Sequence, residues 1–464
     1  PGGSLHELAV FGENADESLG IRLTDLEGNP VREGDPLYKL VDEQDIAKYS
    51  HRYMTGTYFD EIYHARTAYE HLNKIKPYEW THPPLGKILI SIGINIFGMN
   101  TFGWRFIGTL FGAAMIPIMY IFAKKLFKKS FFGFCAAFLM MFDLMHFAQT
   151  RIATIDGYTT FFVILMYYFM ADYYLNKSYK KSFARSLVPL FLSGLFFGLG
   201  AATKWSALYG APGLALIFFI AKYNEFKDYR VYKNMPQGDR PAWVKQFIPR
   251  YWLGTLVSCV LFFVIIPATI YLLSYIPYLQ VEGMTFKDII DYQGRMYNYH
   301  SGLEATHSFQ SNWWSWPLLV RPIWYYRARD MTTGLASTIS SFGNPAIWWV
   351  GIAAYFYILK GSVEKNKLAM FLLVPIVTQL LPWTMITRAA FIYHFFPILP
   401  FIMLAIVYGI KRLLDKGLDR RLVYTYLAIV LVTFVIFYPM VSALVVPESY
   451  LLGLELFPSW VFWN

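Results

Sequence analysis

Long apolar runs separated by short polar connections dominate the chain. Runs able to span a bilayer, roughly 20 residues each, fall near 103–123, 131–150, 155–175, 187–203, 205–221, 252–273, 345–359, 368–386, 389–410 and 422–446. They predict an all-α polytopic membrane protein with about ten transmembrane helices. The pair at 187–221 is interrupted by Thr203-Lys204-Trp205. Leu85–Phe97 is apolar but too short to span, and reads as an interfacial or re-entrant helix. Residues 1–50 are polar and mixed. Within them Leu5-His6-Glu7-Leu8-Ala9-Val10-Phe11 alternates like a strand and leads into Gly-, Asn- and Asp-containing turns. That segment reads either as the end of an extracytoplasmic β-domain or as a loop.

The expected organisation follows. Residues 1–50 form the extracytoplasmic segment, and 51–102 a first external loop ending in the interfacial helix. Transmembrane helices occupy 103–273 and 345–446. A second external loop, 274–344, lies between them, and 447–464 is an external tail. A polar opening at Pro1-Gly2-Gly3 with no leader-like run suggests that residues upstream are missing.

Composition agrees with a membrane protein: 56% of residues are hydrophobic and only 16% charged, against roughly 25% charged in soluble domains. The abundant Trp, Tyr and Phe suit belts at the headgroup level. Cys135 and Cys259 both lie in apolar runs and read as core thiols, not as a disulfide or metal site. The net charge of +10 raises the question of nucleic acid, but its distribution argues against that partner. The connections 124–130, 176–186, 222–250, 360–367 and 411–421 hold 23 of the 41 Lys and Arg residues. The short opposite connections 151–154, 203–205 and 387–388 hold one each, Arg151, Lys204 and Arg388, and the long 274–344 connection only Lys287, Arg295, Arg321, Arg327 and Arg329. This asymmetry is the positive-inside pattern. It puts the first external loop, the 274–344 loop and the tail outside the cytoplasm.

The external loop carries Tyr58-Phe59-Asp60-Glu61-Ile62-Tyr63-His64. A bare Asp-Glu pair is usually a solvated turn or a helix start. Here aromatic and apolar neighbours flank the acids. Partial burial would raise a carboxylate's pKa and suit it to act as a base or a metal ligand. Further on, His82-Pro83-Pro84-Leu85-Gly86-Lys87 has two prolines that stop any helix before Leu85. His82 and Lys87 either enter an interfacial turn or reach a phosphate. Arg105, Arg151, Asp156, Lys204 and Arg388 are solitary charges near one membrane face. Each cation alone is most simply a snorkelling side chain, but together the cations suggest an anion site. Asp143 and His146, at i, i+3, are expected to share a helix face as an intramembrane pair. The long loop holds His300, His307, an aromatic run Trp313–Trp316 and Arg321. These suit an interfacial segment or a surface for a sugar or peptide, and the histidines lack convincing metal spacing.

Together these segments resemble the protein O-mannosyltransferase family of membrane-embedded, C-type glycosyltransferases. The matching pieces are Phe59-Asp60-Glu61, His82-Pro83-Pro84-Leu85-Gly86-Lys87, Arg105-Phe106, Gln149-Thr150-Arg151 with Asp156, and Lys204-Trp205. They continue with Trp316-Pro317-Leu318 and Arg321-Pro322, Gly343-Asn344-Pro345 with Trp348-Trp349, and Arg388 with Tyr393-His394. The resemblance implies an inverting transfer of mannose from a polyprenyl-phosphate-mannose donor to Ser or Thr of a translocated protein, at the extracytoplasmic face of the cell membrane. It implies Asp60 as the base on the acceptor hydroxyl and Glu61 as a positioning acid. Arg105 would hold the active-site loop or the donor phosphate. Lys204, Arg151, Arg388, His82 and Lys87 fall to donor phosphate or sugar, and Asp156, Asp143, His146, His300, Arg321, Tyr393 and His394 to support of the site. The implied partners are the lipid-linked sugar, an acceptor protein or peptide, membrane lipids and the protein secretion machinery. A divalent metal, Mg or Mn, stays open as a cofactor.

Two departures are visible. The family's transmembrane helix before the Asp-Glu loop is missing upstream, and the 274–344 loop is too short for the β-trefoil insert of eukaryotic members. The first supports a truncated start and the second a bacterial-type enzyme, with residues 1–50 resembling the last strands of a carbohydrate-binding sandwich. Two other readings stand beside this one. A same-fold transferase could deliver a lipid-linked sugar to a wall polymer, glycan or lipid. A transporter of lipid-linked substrates would need inverted repeats, and none is evident in the sequence.

Overall fold

The computed structural model describes residues 8–11, 18–25, 27–41, 52–328 and 333–463. Residues 5–7 of the expected N-terminal strand lie outside these. Its end does pair: β1 (Val10–Phe11) and β2 (Ser18–Leu19) are antiparallel.

The rest is a helical bundle. Helix α1 (Glu61–Leu72) and the short apolar α2 (Leu85–Phe97) precede the long α3 (Thr101–Phe127). Asn100 caps α3 by accepting from the Gly103 N–H at 2.9 Å, and Lys124 and Lys125 sit in its last turn, where cations suit the helix dipole. Helices α2 and α3 approach at glycine: a Cβ on Gly93 would lie 2.2 Å from the Gly103 carbonyl oxygen.

Then follow α4 (Ser130–Met141), α5 (Leu144–Thr150), α6 (Asp156–Leu175), α7 (Phe183–Thr203) and α8 (Ala211–Lys233). A continuous helical stretch, α9 (Trp243–Leu273), leads to α10 (Phe286–Gly302), which opens with a Thr285–Asp288 capping box. Four further helices complete the bundle: α11 (Pro345–Val363), α12 (Lys367–Leu380), α13 (Leu399–Leu414) and α14 (Arg420–Ser442).

Among the described residues seven helical segments are long and apolar enough to cross a membrane, and α4 with α5 make an eighth if counted as one bent span. All ten expected apolar runs are helical over much of their length, but two differ from simple lipid-facing spans. Helix α6 carries Asp156 and Asp172 and is largely buried by α3, α7 and α8. Helix α13 has only 16 residues, buried throughout Leu399–Tyr408, and the chain from Arg388 reaches it through a short 3₁₀ turn.

The run expected at 131–150 is bent by 63° between Met141 and Leu144. The cause corrects the expectation of an Asp143–His146 pair on one helix face. Asp143 is the N-cap of α5 and accepts from the His146 backbone N–H at 2.9 Å. Its other oxygen accepts from the Asn344 N–H and from Trp348 Nε1. Asn344 in turn donates to the carbonyls of Phe142 and Val430. This node ties α5, α11 and α14 together, while the His146 ring bonds the Gly112 carbonyl at 3.0 Å.

Two small sheets lie on the same side as the Asp60 loop. Strand β3 (Ile323–Arg327) pairs antiparallel with β5 (Thr338–Ser341), with an irregularity between Trp324 and Tyr326. Strand β4 (Leu335–Ala336) pairs with β6 (Val446–Pro447).

Candidate active site

Glu61 fixes the acid loop from within. It is fully buried and takes both prongs of the Arg105 guanidinium, each at 2.7 Å. It also accepts from the Ala153 N–H at 2.9 Å and from the Tyr58 N–H at 3.2 Å. Arg105 uses its remaining donors on the carbonyls of Tyr53 (2.5 Å) and Gly56 (3.1 Å). A fork-to-fork pair of this kind is directional and strong. It fastens residues 53–61 to α3 and to the turn between α5 and α6. Of the two roles the resemblance gave Arg105, the geometry matches holding the loop.

Asp60 is the opposite case. It stands at the N-terminus of α1, yet its side chain makes no capping bond, and no hydrogen bond reaches its carboxylate among the described residues. Burial, then the neighbouring Asp156 charge, push its carboxyl up to about 6, against the pull of Lys204. Just before it, Phe59 has φ 51°, a left-handed conformation that non-glycine residues adopt at a cost. Its ring is held by a stack on Tyr325 at 4.2 Å and an edge contact to Tyr393. The β3–β5 sheet and the segment before α13 therefore aim the residue that precedes the acid.

Lys204 links Asp60 to a cavity. Its ammonium binds Asp156 at 2.7 Å and also lines a cleft formed by Thr81, His82, Trp205, Tyr209, Tyr297, His300, Trp383 and Arg388. Arg388 borders this cleft and a second one beside it, and has no ion-pair partner among the described residues.

Lys87 is placed differently from the expected phosphate contact. It is fully buried, paired with Glu79, and donates to the His82 carbonyl at 2.8 Å. Arg151 lies over the rings of Tyr53 and Phe147 and donates to the Val441 carbonyl. Arg321 donates to the Ser308 carbonyl, and His394 is sandwiched near Trp316 and Trp383. Of these three, only His394 packs against a residue that lines the clefts, Trp383.

Sequence reasoning missed Glu79. Burial opposes its ionisation, but the Lys87 ammonium beside it outweighs that and lowers its pKa. The available signal was an acid three residues before the His-Pro-Pro turn and eight before a lysine. Among the described residues no three His, Cys, Asp or Glu side chains converge to hold a metal ion.

A family model described as dolichyl-phosphate-mannose-protein mannosyltransferase matches residues 46–281. A second, described as the C-terminal four-TMM region of protein-O-mannosyltransferase, matches residues 285–460. The chain belongs to the protein O-mannosyltransferase family. It is similar to the polyprenol-phosphate-mannose–protein mannosyltransferase of Mycobacterium tuberculosis, 26% identical over 470 residues, spanning 87% of this chain and 86% of the relative. The enzyme of the same name from Corynebacterium glutamicum is 26% identical over 438 residues, 82% of this chain and 81% of the relative. Among solved structures, the protein O-mannosyltransferase Pmt1-Pmt2 complex of S. cerevisiae, bound to the sugar donor, matches with TM-score 0.73 at 11% identity. It covers 88% of this chain and 89% of that one, a likeness of fold. The expected protein O-mannosyltransferase family, C-type membrane fold and mannosyltransferase activity toward proteins are borne out, in a multi-pass membrane protein.

Proposed function

We propose that this protein O-mannosyltransferase moves mannose from polyprenyl-phosphate-mannose to Ser or Thr hydroxyls of translocated proteins, with inversion, at the membrane face opposite its cation-rich loops. The observation that carries the reading is the Asp60 carboxylate: without a hydrogen bond among the described residues, its pKa raised by burial, and coupled through Lys204 to a cation-lined cleft. A hydroxyl becomes a competent nucleophile when a base removes its proton as the new bond forms. Asp60 serves as that base. The C–O bond to the lipid phosphate breaks on the opposite side of the anomeric carbon, which passes through an oxocarbenium-like state. Lys204 and Arg388 offer fixed positive charge to the phosphate as it leaves. Glu61 and Arg105 hold the loop that carries the base.

The test is reconstitution with a radiolabelled polyprenyl-phosphate-mannose and a Ser/Thr peptide. Peptide-linked mannose of the anomeric configuration opposite to the donor's is the expected product. Label appearing only in glycan, wall polymer or lipid acceptors overturns the acceptor assignment.

The same assay reads the base. Asp60 must be ionised to accept a proton, so kcat/KM should be level above about pH 6. Below it, the rate should fall about tenfold per pH unit as the carboxyl takes up a proton. A profile flat from pH 7 to pH 5, in protein that stays folded, contradicts a base with this environment.

A further inference from the structure

Two histidines on the cleft wall, His82 and His300, are tied to one residue, Thr81. The tie fixes which nitrogen of each ring carries the proton. Glu79, ionised beside Lys87, can only accept hydrogen bonds, so the Thr81 hydroxyl gives it its single proton. That hydroxyl then meets His82 Nδ1 at 3.0 Å with only a lone pair to offer, and Nδ1 must be the protonated nitrogen. His82 Nε2 is left as an acceptor. His300 Nε2 meets the Thr81 carbonyl at 2.8 Å. A carbonyl only accepts, so Nε2 carries the proton and Nδ1 is left as an acceptor. His300 Nδ1 is buried without a partner among the described residues, a rare condition that calls for an explanation. The rings lie 5.2 Å apart, and both residues line the cleft with Lys204 and Arg388. Both are held neutral: burial lowers each pKa, and Lys204 adds to it, outweighing Glu79.

We propose that His82 and His300 recognise hydroxyl hydrogens of the donor's hexose, each presenting a nitrogen lone pair, while Lys204 and Arg388 face the phosphate. A neutral imidazole lone pair repels a phosphate oxygen but accepts from a sugar O–H. The assignment rests on the transfer reaction proposed above and adds to it what discriminates the sugar. Glu79, Lys87 and Thr81 are positioning residues that hold the tautomers.

The experiment compares polyprenyl-phosphate-mannose with its 2-, 3-, 4- and 6-deoxy analogues as donors, and measures binding of sugar-free polyprenyl phosphate. The wild-type protein is expected to discriminate against at least one analogue by about tenfold or more in kcat/KM. His82→Phe and His300→Phe should each flatten that discrimination while leaving polyprenyl phosphate affinity unchanged. Thr81→Val keeps the carbonyl that binds His300 but releases the His82 tautomer, so it should weaken only the discrimination that depends on His82. This variant carries the test if either Phe variant fails to fold. Variants as selective as the wild type, or variants that lose polyprenyl phosphate binding, overturn the proposal. A wild-type protein that transfers mannose to peptide yet ignores every deoxygenation overturns it and leaves the transfer reaction standing. No mannose transfer at all would instead overturn the function on which it rests.

Discussion

Asp60→Asn should lower kcat for mannosyl transfer by about 10²–10⁴-fold, the range for removing a positioned general base. The substitution is nearly isosteric and takes away one acceptor site and the charge. Since no hydrogen bond among the described residues depends on that carboxylate, the loop should stay in place. Polyprenyl phosphate binding and thermal unfolding in detergent should therefore match the wild type. Relief of repulsion with Asp156 should also strengthen the hold of Lys204 on its partner. Full transfer activity in the Asn variant would remove Asp60 from the chemistry. Equal loss of donor binding and turnover would make it a binding residue instead.

Arg105→Leu should be the most damaging change to the architecture. It strips the bidentate partner from a fully buried Glu61 and leaves that carboxylate with two backbone N–H groups. Breaking a buried pair from one side costs about 3–5 kcal/mol, and here residues 53–61 would also lose two carbonyl anchors. The expected result is a lower unfolding temperature with transfer abolished. Arg105→Lys should rescue little, because an ammonium cannot reproduce the planar fork. The double variant Arg105→Leu with Glu61→Leu should be less unstable than the sum of the singles, since it removes the stranded charge. If Arg105→Leu unfolds at the wild-type temperature, the staple is not what holds the loop.

Much of this was legible in the sequence for physical reasons. Apolar runs revealed the helices because lipid demands them, and the ordered motifs from Asp60 to His394 revealed the family. What stayed hidden depended on contacts far apart in sequence. The bend at Phe142-Asp143 looked like a helix interior with an i, i+3 pair. Only the pairing of Asp143 with Asn344 and Trp348 shows why the chain turns there. Lys87 looked available because a cation beside His-Pro-Pro suits a phosphate, and its burial against Glu79 leaves no such trace. Helices α6 and α13 show the limit of counting apolar residues. Helices enclosed by other helices need neither full membrane length nor uniform apolarity.

The staple and the stack also set a timetable for biogenesis. The acid loop is made early, but Glu61 waits for Arg105 and Ala153, and Phe59 waits for Tyr325 and Tyr393. At about 5–20 residues per second, the ribosome needs roughly 15–70 s to travel from the loop to the last of these. A nascent chain halted after its first helices has its acid loop but not the contacts that hold it. The held loop therefore forms only when both halves of the polypeptide are in place.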